Sequence, residues 1–288
     1  MKQTKHLIEL NIALVFLSTS GVLGKLVTTT PAYTIFWRCV IAALALAGYV
    51  HFQKLWQKPK AKETRFWLIS GAFFGLHMIF YFYAIGVSTV AIAFISLFTY
   101  PIITTLIEPL FFKQKFDWFN LISAVLIAVG IVIMTPEFSL KNNTTLGVLL
   151  GVIAAAMLAL RNLMSKHYMQ ERNVSGSVVM LYQLIVSVVV LLPALVGNYG
   201  QNSWQNMGYI ALLGVATTAV GHTVFISKIR YFKASTQSII AGVQPIYGIV
   251  WAVLLIGEKL PLRTIIGGSI IIFTVCLESL KQVRKGRS

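Results

Sequence analysis

The sequence predicts an all-α integral membrane protein with ten transmembrane helices arranged as two inverted five-helix repeats. Three observations predict it: a composition too apolar for water, ten separable apolar runs, and basic residues that favour alternate connecting segments. Of the 288 residues, 57% are hydrophobic and only 11% are Asp, Glu, Lys or Arg, and the mean hydropathy is +0.78. Soluble domains carry about 25% charged residues because their surfaces face water. A bilayer lifts that demand and sets another. Each crossing segment must hydrogen-bond its own backbone across about 30 Å of hydrocarbon, which takes roughly 20 apolar residues as a helix.

The apolar runs fall at about 7–27, 32–52, 66–86, 89–112, 117–135, 146–166, 175–196, 205–226, 233–256 and 262–280. Pro31, Pro136 and Pro261 mark turns, and the short punctuations Ser88-Thr89 and Lys113-Gln114-Lys115 separate the runs around them. The first run follows Lys2 and Lys5 but is too long for a signal peptide. It also lacks a small-residue cleavage site before a polar domain, so it reads as the first spanning helix.

The net charge of +16 does not point to nucleic acid, because the charges sit in clusters between apolar runs and form no groove-binding domain. With the N-terminus inside, 19 of the 24 Lys and Arg residues fall on inside segments, Arg161, Lys166 and Arg172 among them. Four fall outside, and Arg38 lies within the second run. This asymmetry places both termini in the cytoplasm and the chain in the inner or plasma membrane.

A shift of 144 residues brings Pro101 onto Pro245, Ile102 onto Ile246, Leu110 onto Leu254 and Lys115 onto Lys259. Gly71 and Gly214 open equivalent runs. The polar stretch Lys141-Asn142-Asn143-Thr144-Thr145 divides the chain, giving a first repeat at 1–140 and a second at 141–288. Five helices is an odd number, so the second copy enters the membrane upside down. Inverted repeats are characteristic of carriers that expose one central site to each side in turn.

Ionisable groups at membrane depth usually face a cavity or a partner. Arg38, in Phe36-Trp37-Arg38-Cys39, is the sharpest case, since an arginine at mid-helix costs from about 2.5 kcal/mol upward. It either pairs with an anionic group in a central cavity or serves a structural ion pair or the outer headgroups. His77 and His222 occupy equivalent helices, and Tyr81 lies one turn from His77 on the same face. Each imidazole is either a proton relay or a hydrogen-bonding partner for a neighbouring helix. Tyr100-Pro101 and Gln244-Pro245 are paired kink sites, where proline frees a backbone carbonyl one turn earlier. Tyr247 and Trp251 share a face with Gln244, as a stacking wall for substrate or as helix packing. Asn162 hydrogen-bonds substrate or a neighbouring helix. Glu108 forms an ion pair near Lys113 and Lys115 or acts as a coupling carboxylate. Glu258 is expected to be solvated at an interface. Cys39 and Cys276 read as small apolar residues.

No ligand cluster suggests a metal, no motif suggests an enzyme, and no cofactor or nucleotide-binding domain is implied. The expected partners are a small-molecule substrate and the lipid bilayer, with a proton or other ion for coupling.

Several segments together resemble the drug/metabolite transporter superfamily in its EamA-type branch. They are Ser20-Gly21-Val22-Leu23-Gly24-Lys25, Phe36-Trp37-Arg38, the Pro101 helix, Gly221-His222-Thr223-Val224-Phe225, Pro245 through Leu255-Ile256-Gly257-Glu258-Lys259-Leu260, and Gly267-Gly268. The resemblance implies a cavity between the repeats, alternating access, and export of amino acids, other metabolites or drugs. It places Arg38, His77, Tyr81, Tyr100, Asn162, His222 and Gln244 near that cavity. Two departures stand out. Lys113-Gln114-Lys115 replaces the Gly-Glu-Lys of the second half, and helix one has no mid-membrane acid, since Glu9 lies at its start. The second speaks against proton-coupled antiport of cationic drugs. The chain is thus read as a secondary transporter exporting a small metabolite, an amino acid or related compound, by alternating access. A broad exporter of drugs or toxic solutes, and a channel or passive facilitator, are the rival readings.

Overall fold

The computed structural model describes residues 2–57, 60, 63–112, 118–134, 143–195, 203–228, 241 and 244–285. Among them the chain forms helices and no strand. In order these are α1 (Lys2–Leu26), α2 (Pro31–Phe52), α3 (Thr64–Val87), α4 (Val90–Leu97), α5 (Tyr100–Phe112), α6 (Trp118–Met134), α7 (Asn143–Arg172), α8 (Gly176–Leu191), α9 (Trp204–Lys228), α10 (Gln244–Ile256) and α11 (Leu262–Lys285). Six segments are long and apolar enough to cross a membrane by length and composition: Ile8–Leu26 in α1, α2, α3, the α4–α5 stretch Val90–Leu110, α7 and α9. The apolar helices Gly176–Leu191, Ile246–Ile256 and Leu262–Thr274 are shorter.

Local chemistry sets the boundaries. Thr30 caps α2 through the Tyr33 N–H, and Pro31 takes the first helical position, where its missing N–H costs nothing. Ser88 ends α3, and the Thr89 hydroxyl caps α4 through the Ile92 N–H at 3.1 Å. Ser175 and Ser203 cap α8 and α9 in the same way. The Lys113–Lys115 and Pro136 punctuations lie outside the described residues.

The run at 89–112, expected as one helix kinked at Pro101, is two helices. Pro101 cannot donate to the Leu97 carbonyl, and the chain turns at Phe98-Thr99 through a tighter Thr99 N–H to Ser96 O bond of 3.2 Å. Pro101 then becomes the second residue of α5, a place where proline is well tolerated. Pro245 likewise is the second residue of α10, and residues 242–243 before it are outside the described set.

Helices before residue 140 pack mainly on helices after it. The α3 helix lies on α7 and α8, while α9 lies on α1 and α2. Similarly α4 lies on α7, α10 on α1, and α6 on α11. Glycines allow the close approaches. At Gly71 on α3 an added Cβ would stand 2.5 Å from Val186 Cβ on α8, and at Gly214 on α9 it would stand 3.0 Å from the Arg38 carbonyl on α2.

Candidate functional site

Arg38 is fully buried on α2, with no carboxylate against it among the described residues. Its Nε donates to Thr218 Oγ1 at 2.6 Å, Nη2 to Thr217 Oγ1 at 2.8 Å, and Nη1 to Ser20 Oγ at 3.0 Å. Its guanidinium lies 5.5 Å from the Phe82 ring centroid. Two consecutive threonines reach one guanidinium because Leu213–His222 in α9 is a π-helix. Both threonine hydroxyls donate to the same carbonyl, Leu213 O, at 2.5 Å from Thr217 and 3.1 Å from Thr218. Their lone pairs are thereby left for the arginine. Single π turns recur at functional sites for this kind of local re-aiming.

A second buried arginine faces the same space. Arg161 on α7 donates from Nε to Gln183 Oε1 at 2.9 Å, from Nη1 to Asn162 Oδ1 at 3.0 Å, and from Nη2 to Met180 Sδ at 3.1 Å. It sits 4.8 Å from the Phe74 ring. Gln183 is held in turn by its donation to Ser165 Oγ at 2.9 Å. Arg161, expected on an inside segment, is fully buried within α7. The α7 helix runs on for more than two turns beyond it, to Arg172. Its position inside the apolar run, next to Asn162, was the available signal.

The rings of His77 and His222 line the same cavity, with centroids 6.3 Å apart, and Phe74 packs 5.2 Å from the first and 5.3 Å from the second. His77 Nδ1 lies 3.3 Å from the Phe73 carbonyl, one turn back on α3. Arg38, His77, Tyr81, Tyr100, Asn162, His222 and Gln244 all line this cavity, and so does Arg161. No Asp or Glu does among the described residues. The Tyr81 hydroxyl is buried and has no hydrogen-bond partner among the described residues, an arrangement that natural interiors avoid unless a ligand or water completes it. The free space amounts to about 50 Å³. That is room for a few waters, so a metabolite is admitted only when the surrounding helices part.

Tyr247 and Trp251 do not line the cavity. They share the Gln244 face but lie one and two turns further along α10, about 4.5 and 10.5 Å of helical rise away. The Phe94 ring, which does line the cavity, presses against Gly248 and closes the space at that level. Trp251 is partly buried and packs against the core instead.

The two ends of the bundle are tied differently. At one end three carboxylates from before residue 140 meet cations from after it. Lys166 Nζ lies 2.9 Å from Glu108 Oε1, Arg172 Nε lies 3.2 Å from Glu63 Oε1, and Lys228 pairs with Glu9. Glu108 therefore has a partner across the bundle on α7, while Lys113 and Lys115 lie outside the described residues. Burial alone would raise the Glu63 carboxyl. The Lys60 N–H, the Tyr168 hydroxyl at 2.8 Å and the Arg172 guanidinium outweigh it and hold the group below the usual carboxylate range. A depressed carboxylate contributes stability that is present above its unfolded pKa and lost as pH falls through the folded one. Melting of the purified protein in detergent should therefore lose this contribution only below the normal carboxylate range. Glu63→Gln should flatten that acid limb, and an unchanged limb would contradict the assignment.

At the opposite end Lys25 Nζ donates to the Ile85 carbonyl at 2.9 Å and the Ser88 carbonyl at 3.3 Å, capping α3. Glu258, expected to be solvated, instead accepts the Val90 and Ala91 N–H groups at 3.0 Å each and caps α4. Gly257 makes this possible. With φ +63 it ends α10 through Gly257 N–H to Val253 O and Glu258 N–H to Ala252 O, which turns the carboxylate toward α4. No atom lies within 4 Å of an added Cβ there. Gly257→Ala should therefore cost only the left-handed backbone penalty of about 1–2 kcal/mol, and a melting temperature at or above wild type would refute it.

Comparison with known proteins decides the family. The pattern that defines the EamA-like transporter family matches residues 7–135 and, a second time, residues 145–280. The chain belongs to the EamA-like transporter family. Among individual EamA-like relatives it is 22% identical over 259 residues to the uncharacterized transporter YxxF of Bacillus subtilis, covering 86% of this chain and 81% of that one. It is 22% identical over 264 residues to the pseudopaline exporter CntI of Pseudomonas aeruginosa, covering 90% and 89%. A solved crystal structure covering 98% of both chains superposes with a TM-score of 0.69 at 13% identity, a likeness of fold alone. The protein is accordingly an integral membrane transporter with an all-helical fold, and not an enzyme.

Proposed function

We propose that this EamA-like protein is a secondary transporter of a small metabolite that carries an anionic group. An amino acid or related compound fits best, exported across the inner or plasma membrane by alternating access. The observation that carries the reading is a buried cavity lined by guanidinium and imidazole groups and by no carboxylate among the described residues. Arg38 binds the substrate's anionic group, Tyr81 and Asn162 supply hydrogen bonds, and Tyr100, His222 and Gln244 shape the remaining wall. Desolvated cations of this kind are costly at membrane depth without a counter-ion, and a substrate anion supplies one.

The rest of the mechanism follows from ten passes in two inverted repeats with both termini cytoplasmic. Several observations support it. The family pattern matches twice, the helices pack reciprocally across the chain's midpoint, and the cavity lies between elements from both sides of that midpoint. The Glu108–Lys166, Glu63–Arg172 and Glu9–Lys228 pairs stand at the basic end. There they would part as the cavity opens to the cytoplasm. Export of pseudopaline by a relative supports the direction.

Purified protein in liposomes, loaded in turn with labelled acidic and neutral amino acids and simple carboxylates, tests this reading. Saturable flux of an anionic compound, at turnover below about a thousand per second, is the expected result for a cycle limited by domain motion. Unsaturable flux far above that rate would make it a channel, and flux of unrelated neutral and cationic drugs would make it a broad exporter.

A further inference from the structure

We propose that the substrate carries two anionic groups, and that Arg161 binds the second. This rests on the preceding assignment of the first to Arg38. Each guanidinium has five N–H bonds. Three on each are engaged by neutral groups: hydroxyls for Arg38, and two amide oxygens and a thioether for Arg161. That leaves two N–H bonds on each to meet a ligand. Neither arginine faces a carboxylate among the described residues, so a substrate with one negative charge leaves one buried cation uncompensated.

The placement also sets a span. Arg161 lies over Phe74 and Arg38 over Phe82, both on α3. Eight residues of helix put those two stations about 12 Å apart along the axis. His77, Met78 and Tyr81 line the cavity between them. The substrate so defined is a short chain with an acidic group near each end, a dicarboxylic metabolite or an acidic amino acid. The Tyr81 hydroxyl and the His77 ring, one turn apart on α3 and both lining the cavity, meet its middle.

The test is ligand-induced thermal stabilisation of the full-length protein in detergent, using two matched pairs: succinate against butyrate, and L-glutamate against L-glutamine. At least one two-carboxylate compound should reach half-maximal stabilisation at a concentration at least about tenfold lower than its one-carboxylate partner, as one additional hydrogen-bonded charge implies. Arg161→Gln should shrink that ratio to near one, and Arg161→Lys should retain part of it. Equal concentrations within both pairs in the wild type would overturn the second anion site while leaving an anion carrier standing, and this comparison holds even if Arg161→Gln fails to fold. A ratio unchanged in a folded Arg161→Gln protein would overturn the role of Arg161. Stabilisation by none of the four, together with no carboxylate flux in liposomes, would remove the anion-carrier reading itself.

Discussion

Arg38→Ala is expected to lower flux of the anionic substrate, measured as kcat/KM in liposomes, by about a hundredfold or more. The figure follows from losing two charge-assisted hydrogen bonds to the substrate, each of about 1.5–3 kcal/mol. The folded state should tolerate the change. Thr217 and Thr218 keep their own bonds to the Leu213 carbonyl when the guanidinium is gone, so the π-helical stretch of α9 is not left with unsatisfied hydroxyls at those positions. Arg38→Lys keeps the charge but loses the planar fork that spans Ser20, Thr217 and Thr218, and should fall between the two. Normal flux of every tested compound in the alanine variant, at wild-type reconstitution, would discard Arg38 as the substrate's partner.

Gly71→Leu is expected to deplete folded protein more than any change within the cavity. The α3 backbone touches α8 at this point. An added Cβ would stand 2.5 Å from Val186 Cβ and 3.1 Å from the Gln183 carbonyl, and neither atom is the free end of a flexible side chain. Ser187 Oγ also donates to the Gly71 carbonyl at 2.7 Å, locking the two helices in register. Overpacking of this kind costs about 1–3 kcal/mol for small additions, and leucine adds four carbons. Gly48→Leu is the matched control. Nothing lies within 4 Å of an added Cβ at Gly48, so the change should be near neutral. Melting in detergent, followed by size-exclusion chromatography, separates the two. Equal behaviour would mean that the α3–α8 contact is not close-packed.

Much of this architecture was legible in the sequence because a bilayer constrains a chain more simply than water does. Helices are forced wherever apolar runs are long enough, and Ser88-Thr89 and Pro31 mark turns with side chains that cap or start helices. The cavity side chains were legible for a related reason: Arg38, His77, His222 and Asn162 are expensive at depth, so each must face something polar. What could not be read was position in the third dimension. Arg161 was missed because helix ends are ambiguous where an apolar run gives way to Lys166 and Arg172, which are held by Glu108 and Glu63 rather than by water. Tyr247 and Trp251 share the Gln244 face by spacing but do not line the cavity, since periodicity reports angle and not depth. Glu258 looked solvated because its partners, the Val90 and Ala91 N–H groups, are 168 and 167 residues away. The π-helical stretch carries no periodic signature beyond the adjacent Thr217-Thr218 pair.

In the proposed mechanism one buried cationic cavity holds the substrate and opens to each side in turn. Met78 lines that cavity and is 2% exposed. A single thiol at Met78→Cys, in a background with Cys39→Ala and Cys276→Ser, reports on it directly when membrane-impermeant thiol reagents are applied to either face of reconstituted vesicles. Modification from both faces, slowed from both by the transported anion, is the predicted result. Modification from one face only while the variant still transports, or modification that the substrate does not slow, would contradict it.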